Sequence, residues 1–174
     1  EVVVIGRQGK ASSLSGPDFG SIAQQVLTHA ALPVLLVGIS PQKIERILIC
    51  TAAGEPGKVD VLFGARVARQ VGAYATILHV LRQRSTQSEV RRVGRHLRQA
   101  QSSLEALGVA SECRLKENVP VVDGIIQEGE EGNYDLIVIG APLLPHAHQY
   151  RWIDSASQII EGTDKPILVV PMVS

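Results

Sequence analysis

The sequence predicts an α/β protein built on a doubly wound, five-stranded parallel sheet, preceded by part of a second copy of the same unit. Three observations point there. Continuous β-branched and leucine runs recur at 2–5 (VVVI), 33–39 (PVLLVGI), 47–50 (ILIC), 75–81 (ATILHVL), 136–140 (LIVIG) and 166–171 (PILVVP), and runs without polar alternation mark strands covered on both faces. Helical patterns lie between these runs, and right-handed crossovers wind such helices onto both sides of a sheet. The third observation is a repeat. Gly6 aligns with Gly140, Gly20-Ser21 with Asp154-Ser155 fourteen residues further on in each case, and LPVLLV (32–37) with KPILVV (165–170) after a one-residue deletion. Residues 1–40 therefore read as the strand-loop-helix-strand that closes one copy, and 44–174 as a complete second copy. Glu1 leads straight into a strand, so further sequence is expected upstream.

In the first copy a glycine-rich loop joins VVVI to a helix that starts at Gly20-Ser21, and PVLLVGI follows as the last strand. In the second, residues 58–72 place Val59, Leu62, Phe63, Val67 and Val71 at helical spacing before Gly72 stops the run. The strongest helical pattern is 86–107, with Val90, Val93, Leu97, Ala100, Leu104 and Leu107 on one face and Gly108 as terminator. Its other face carries Arg91, Arg95 and Arg98, with Arg82 and Arg84 just upstream. That stripe reads either as an anion or acidic-partner patch or as a solvated surface balanced elsewhere, for instance by EGEE at 128–131. A further helix fits 120–131, with Pro120 in its first turn, Asn118 available as a cap, and Val122, Ile125 and Ile126 facing the sheet.

Composition excludes several functional classes. Seventeen Lys+Arg balance seventeen Asp+Glu, which argues against nucleic acid or an anionic membrane as the partner of the whole surface. No apolar run reaches membrane-spanning length, so no direct membrane insertion is expected. Cys50 and Cys113 sit far apart in strand-like runs and read as reduced thiols of a cytoplasmic protein.

The early loop carries the clearest chemistry. A turn from a strand end into a helix start offers unpaired N–H groups and the positive end of the helix dipole, which suit phosphate oxygens. Gly6, Gly9, Gly16 and Gly20 let the backbone approach closely, Ser21 adds a hydroxyl, and Arg7 and Lys10 add counter-charge. The spacing is neither a Rossmann nor a Walker A pattern.

IGRQGKASSLSGPDFGS resembles the G-x2-G-x9-G-[ST] signature of the universal stress protein family, with one extra residue in the longer gap. LPVLLV, ILICTAAGE, ILHV, PVVDGIIQEGEEGNYDLIVIG and KPILVVP are similar to that family's strands and connections, so the resemblance covers nearly the whole chain. It implies a tandem member with a five-stranded parallel sheet of order 3-2-1-4-5. It also implies ATP or another adenine nucleotide as ligand of the amino-terminal copy, with magnesium as an accompanying option. Carried over, Gly6, Gly9, Gly20 and Ser21 line the phosphates, with Arg7 beside them. The family draws the adenine and ribose side from the first two strands, and this sequence lacks those strands of the first copy.

The complete copy departs from the nucleotide-binding pattern. Ala52 stands where the family has an aspartate after the first strand, Leu143 replaces the second glycine, and Asp154 the third. A carboxylate at a helix start caps the helix and repels phosphate. The later site is therefore expected to be closed, with Tyr150 and Trp152 filling the vacated volume. His146 and His148 lack a third converging ligand, and no metal site is expected. His79 reads as a structural histidine and Ser21 as a cap and phosphate donor. No catalytic constellation is legible, and turnover is expected to be at most slow ATP hydrolysis.

Two readings follow. One is a stress-response protein that binds adenine nucleotide at its early loop; the other is a ligand-free interaction module, such as the cytoplasmic regulatory tail of a transporter. The resemblance implies tandem or homodimeric pairing through the last strands, 33–39 against 166–171. VVVI is left with an open edge.

Overall fold

The structure, a computed structural model, describes residues 1–7, 21–38, 43–52, 56–82, 84–143 and 151–173. The elements are β1 (Val3–Gly6), α1 (Ser21–His29), β2 (Val34–Val37), β3 (Arg46–Cys50), α2 (Pro56–Val71), β4 (Tyr74–Val80), α3 (Gln87–Ala106), β5 (Ser111–Lys116), α4 (Val121–Glu131), β6 (Leu136–Leu143), α5 (Arg151–Glu161) and β7 (Ile167–Val173). All seven strands join one sheet of order β1-β2-β7-β6-β3-β4-β5. Counted from β3, the last five strands lie in the order 3-2-1-4-5.

Every neighbouring pair is parallel except β2 and β7, where Val34, Leu35 and Leu36 oppose Val169, Leu168 and Ile167. The antiparallel join turns the early unit around. The carboxyl ends of β1 and β2 therefore open at the opposite end of the strands from those of β3 to β7.

The apolar runs explain the layers. Ile47, Leu48 and Ile49 of β3 and Ile137 and Val138 of β6 are wholly covered because helices lie on both faces of the central sheet. On one face Ala23 and Leu27 of α1, Ile125 of α4 and Ile159 and Ile160 of α5 form one cluster with Leu36, Leu48 and Ile139. On the other, Val61, Ala65 and Ala68 of α2 and Val93, Leu97 and Leu104 of α3 pack on Ile47, Ile49, Ile77 and Val138. β1 is an edge strand. Val4 is 59% exposed, whereas Val3 and Ile5 turn to the α1 side.

Helix boundaries follow local chemistry. Thr86 and Glu89 form a capping box at the start of α3, and Gly72 and Gly108 take the left-handed conformation just beyond α2 and α3. Two expectations need correction. Asn118 does not cap α4. It takes a left-handed φ of 62°, and the N-cap is Pro120, without a side-chain cap bond. α2 also buries a different stripe from the one its large residues suggest. Val59, Leu62 and Val71 are exposed, while Val61, Gly64, Ala65 and Ala68 face the sheet. The reason is close approach: a Cβ on Gly64 would sit 2.8 Å from Ile49 Cδ1, so the helix beds on its smallest residues.

The EGEE run is consumed locally. Glu128, almost wholly buried, accepts from Arg114 Nη1 at 2.6 Å and Tyr134 OH at 3.0 Å and pairs with Lys116. Glu130 accepts from Thr163, and Glu131 pairs with Lys116. Asp135 Oδ2 accepts from the backbone N–H groups of Glu45 and Arg46, tying the start of β6 to the start of β3.

Candidate functional site

The early turn begins where β1 ends. Gly6 lies opposite Val37 in the β1–β2 ladder, and the Arg7 N–H extends it by donating to the Val37 carbonyl at 3.0 Å. Ser21 is the first residue of α1, and Ala23 and Leu27 seat that helix in the same core as Val3 and Ile5. A strand end and a helix start thus flank the loop. Gly9, Lys10, Gly16 and Gly20 lie outside the described residues.

Arg7 has a partner that the sequence did not reveal. Its Nη1 donates to the Lys165 carbonyl at 3.0 Å and its Nη2 to the Ile160 carbonyl. Ile160 lies in the last turn of α5, where carbonyls lack intrahelical donors and a cation opposes the negative end of the helix dipole. The guanidinium therefore fastens the early unit to the end of α5. Burial lowers its pKa, opposed by Asp164.

The corresponding turn of the later copy is built differently. β6 does not stop at Gly140. Its ladder with β7 continues through Ala141↔Pro171 and Pro142↔Met172 to Leu143↔Val173. Leu143 thus ends a strand that runs three residues beyond Gly140, whereas β1 ends at Gly6. α5 starts at Arg151, so Asp154 is the fourth helical residue rather than the first. Ala52, following Thr51 at the end of β3, is exposed and offers no carboxylate. His146, His148 and Tyr150 lie outside the described residues, and the Trp152 side chain is likewise not described. Among the described residues no cluster of three or more His, Cys, Asp or Glu side chains could hold a metal ion.

A polar cluster that sequence reasoning missed sits at the carboxyl ends of β3 and β4, on the α2/α3 face. Thr51 Oγ1 lies 3.4 Å from Asp60 Oδ1 of α2 and 3.1 Å from His96 Nε2 of α3. His79 Nδ1 lies 2.7 Å from the Thr51 carbonyl, which can only accept, so this nitrogen carries the proton. That fulfils the structural role expected of His79. Asp60 is almost completely buried, and burial pushes its carboxyl up to about 7 against the N–H of Val61 and the Thr51 hydroxyl, which favour the charged form. Burial also holds the His79 and His96 imidazoles below their usual range, with Arg92 adding to the effect on His79 and His79 and Lys58 to that on His96. The available sequence signal was a charged residue, Asp60, next to Val61 on the sheet-facing side of α2.

His96 also lines a cleft of about 180 Å³ between α2 and α3, together with Lys58, Val61, Leu62, Gln99, Ala100 and Ser103. The cleft opens on the face opposite α4 and α5.

The model of the universal stress protein family matches residues 43–171, which is most of the chain. The chain belongs to the universal stress protein family. Among solved structures it is similar to a universal stress protein in complex with cAMP, at 17% identity over 75% of this chain and 99% of that one, with a TM-score of 0.63. The universal stress protein from Archaeoglobus fulgidus in complex with dAMP is 20% identical over 74% of this chain and 99% of that one, with a TM-score of 0.61. A longer universal stress protein from Archaeoglobus fulgidus DSM 4304 matches 98% of this chain at 18% identity and a TM-score of 0.71, and the present chain spans 60% of its length. These likenesses establish the α/β universal stress protein fold. No curated protein sequence matches the chain. Among the described residues, no helix is long and apolar enough to cross a membrane.

Proposed function

We propose that this universal stress protein is a cytoplasmic stress-response regulator that binds ATP or another adenine nucleotide at its early turn, while its later crevice no longer does so. The observation that carries this reading is the contrast between the two turns. β1 ends at Gly6 and α1 begins at Ser21, with Gly9, Gly16 and Gly20 in the sequence between them, whereas β6 pairs with β7 as far as Leu143. Support comes from the relatives solved with cAMP and dAMP. Gly6, Gly9, Gly20 and Ser21 cradle the phosphates, with a magnesium ion as counter-charge. Arg7 stands at the rim and ties the turn to α5. With Ala52 and Leu143 in place of the family's aspartate and glycine, the later copy serves as a scaffold. Residues 1–40 and 44–174 are a partial and a complete copy joined through β2 and β7, and the same antiparallel pairing is the mode by which family members dimerise. The protein is a binder rather than an enzyme, with slow ATP hydrolysis as its upper limit.

The second reading, a ligand-free interaction module such as a transporter's regulatory tail, is favoured by one observation: the Arg7 guanidinium is committed to the carbonyls of Ile160 and Lys165. Thermal unfolding with increasing ATP separates the two. Nucleotide binding predicts a rising midpoint for the parent that is lost in Gly9→Val and Gly20→Val. A parent midpoint that ATP leaves unmoved selects the interaction module.

A further inference from the structure

The seventeen positive and seventeen negative side chains are not mixed along the chain. Residues 56–108, which hold α2 and α3, carry nine Lys and Arg against three Asp and Glu, whereas residues 117–164, which hold α4 and α5, carry one Arg against nine Asp and Glu. The sheet separates the two sets, since α2 and α3 pack on one of its faces and α4 and α5 on the other. A chain of zero net charge thus has a basic side and an acidic side.

The outermost residues of the two layers match. On α3, Arg91, Arg95 and Arg98 fall at i, i+4 and i+7, opposite the buried row of Val93, Leu97, Ala100 and Leu104, and all three are exposed. On α4, Asp123, Gln127, Glu130 and Glu131 fall at i, i+4, i+7 and i+8, opposite the buried Gly124, Ile125, Glu128 and Gly129, and all four are exposed. Seven residues of helix rise about 10 Å, so the stripes are equal in length and opposite in sign. Among the described residues, Arg91, Arg95, Arg98, Asp123 and Glu130 form no ion pair. Glu130 accepts from Thr163 Oγ1, a neutral donor, and Glu131 meets Lys116 at 3.5 Å. Arginines spaced three and four apart repel one another, a cost to α3 that a facing row of carboxylates relieves.

We propose that α3 of one copy docks on α4 of a second copy of this chain, arginine stripe against carboxylate stripe. The two stripes lie on opposite sides of the sheet, so the contact is heterologous. Each copy that offers α3 to one neighbour leaves its own α4 open to the next, and copies stack in a row along the sheet normal. The contact uses no strand edge. It is compatible with the β2–β7 join and independent of nucleotide binding at the early turn. A second copy fits better than nucleic acid or a lipid surface: α3 carries no aromatic residue on which a base could stack, and its apolar row is buried in the core and cannot enter a bilayer. Exposed ion pairs are individually weak, so the stack forms at low salt and high protein concentration and dissolves as salt shortens the Debye length.

The test is sedimentation velocity of the whole chain over a range of protein concentrations, at about 10 mM and at about 500 mM salt. The expected result is a mass that grows past a dimer with protein concentration at low salt and falls back at high salt. Arg91→Glu with Arg95→Glu and Arg98→Glu, or Asp123→Lys with Glu130→Lys, should each weaken self-association at least about tenfold. Mixing the two variants in equal amounts should restore it, because the reversed α3 of one then faces the reversed α4 of the other. Recovery on mixing also shows that both variants are folded. A parent mass that does not depend on salt overturns the proposal, whether the chain stays apart or pairs through a strand edge. So does a mixture that stays apart, and so do equal losses from Arg95→Glu and from Arg69→Glu on α2, which indicate a diffuse attraction between dipoles rather than docking of α3.

Discussion

Asp60, among the described residues, is a carboxyl whose burial couples folding to pH. Its carboxyl is raised from the ordinary 3.8 to about 7, so the folded chain keeps a proton that the unfolded chain releases. The stabilisation is fully present below about pH 4 and is lost as pH rises through about 7. Its size is roughly 2–4 kcal/mol, from ~1.4 kcal/mol per unit of displacement and some access of water. His79 and His96 work in the opposite sense, because their pKa values are depressed and their contribution is lost as pH falls. Asp60→Asn isolates the carboxyl. Urea unfolding across this range should show the parent losing stability with rising pH relative to the variant; parallel curves would contradict the assignment. None of this was legible from spacing, since Thr51 and His96 are 45 positions apart and meet only because the end of β3 lies against the first turns of α2 and the amino-terminal half of α3. Arg7 teaches the same lesson more sharply: chain position placed it beside a phosphate loop, but its guanidinium partners lie over 150 residues away.

At the scale of elements, glycine decides how closely the helices approach the sheet. A Cβ at Gly64 would meet Ile49 Cδ1 at 2.8 Å, whereas one at Gly94 meets only the mobile tip of Arg98 at 3.7 Å. Gly64→Val should therefore cost about 1–3 kcal/mol through overpacking, while Gly94→Ala should gain about 0.5–1 kcal/mol from helix propensity. Urea midpoints give both signs in one experiment, and a stabilising Gly64→Val would show that α2 does not sit where described. The existence and order of the helices and strands were readable because their periods and terminators are local. The buried stripe of α2 was not, because large residues dominate a pattern search while small ones made the contact. The extension of β6 to Leu143 was equally hidden, since Ala-Pro-Leu becomes a strand only when β7 supplies a partner.

For the molecule as a whole, the antiparallel join of β2 to β7 makes one sheet of two oppositely directed units. The repeat in the sequence marked both strands, and the family resemblance implied that they pair, hiding two exposed edges, so this junction was expected before any coordinates. The ladder is short. Leu36, completely buried opposite Ile167, carries much of the packing there, and Arg7 adds its clasp on α5. Leu36→Lys should release β1, α1 and β2 while leaving the rest folded. Hydrogen exchange would then be fast in β1 and β2 and still slow in β3 and β4. Uniform loss of protection across all seven strands would instead show that the units fold only together.

The same reversal of direction makes the functional claim testable in space, because the two turns open at opposite ends of the sheet. Crystals of the chain soaked with ATP and magnesium should show triphosphate density between the end of β1 at Gly6 and the start of α1 at Ser21, with none beyond β3 and β6. Density beside Ala52 and Leu143 instead, or none at the early turn under saturating nucleotide, would contradict the account.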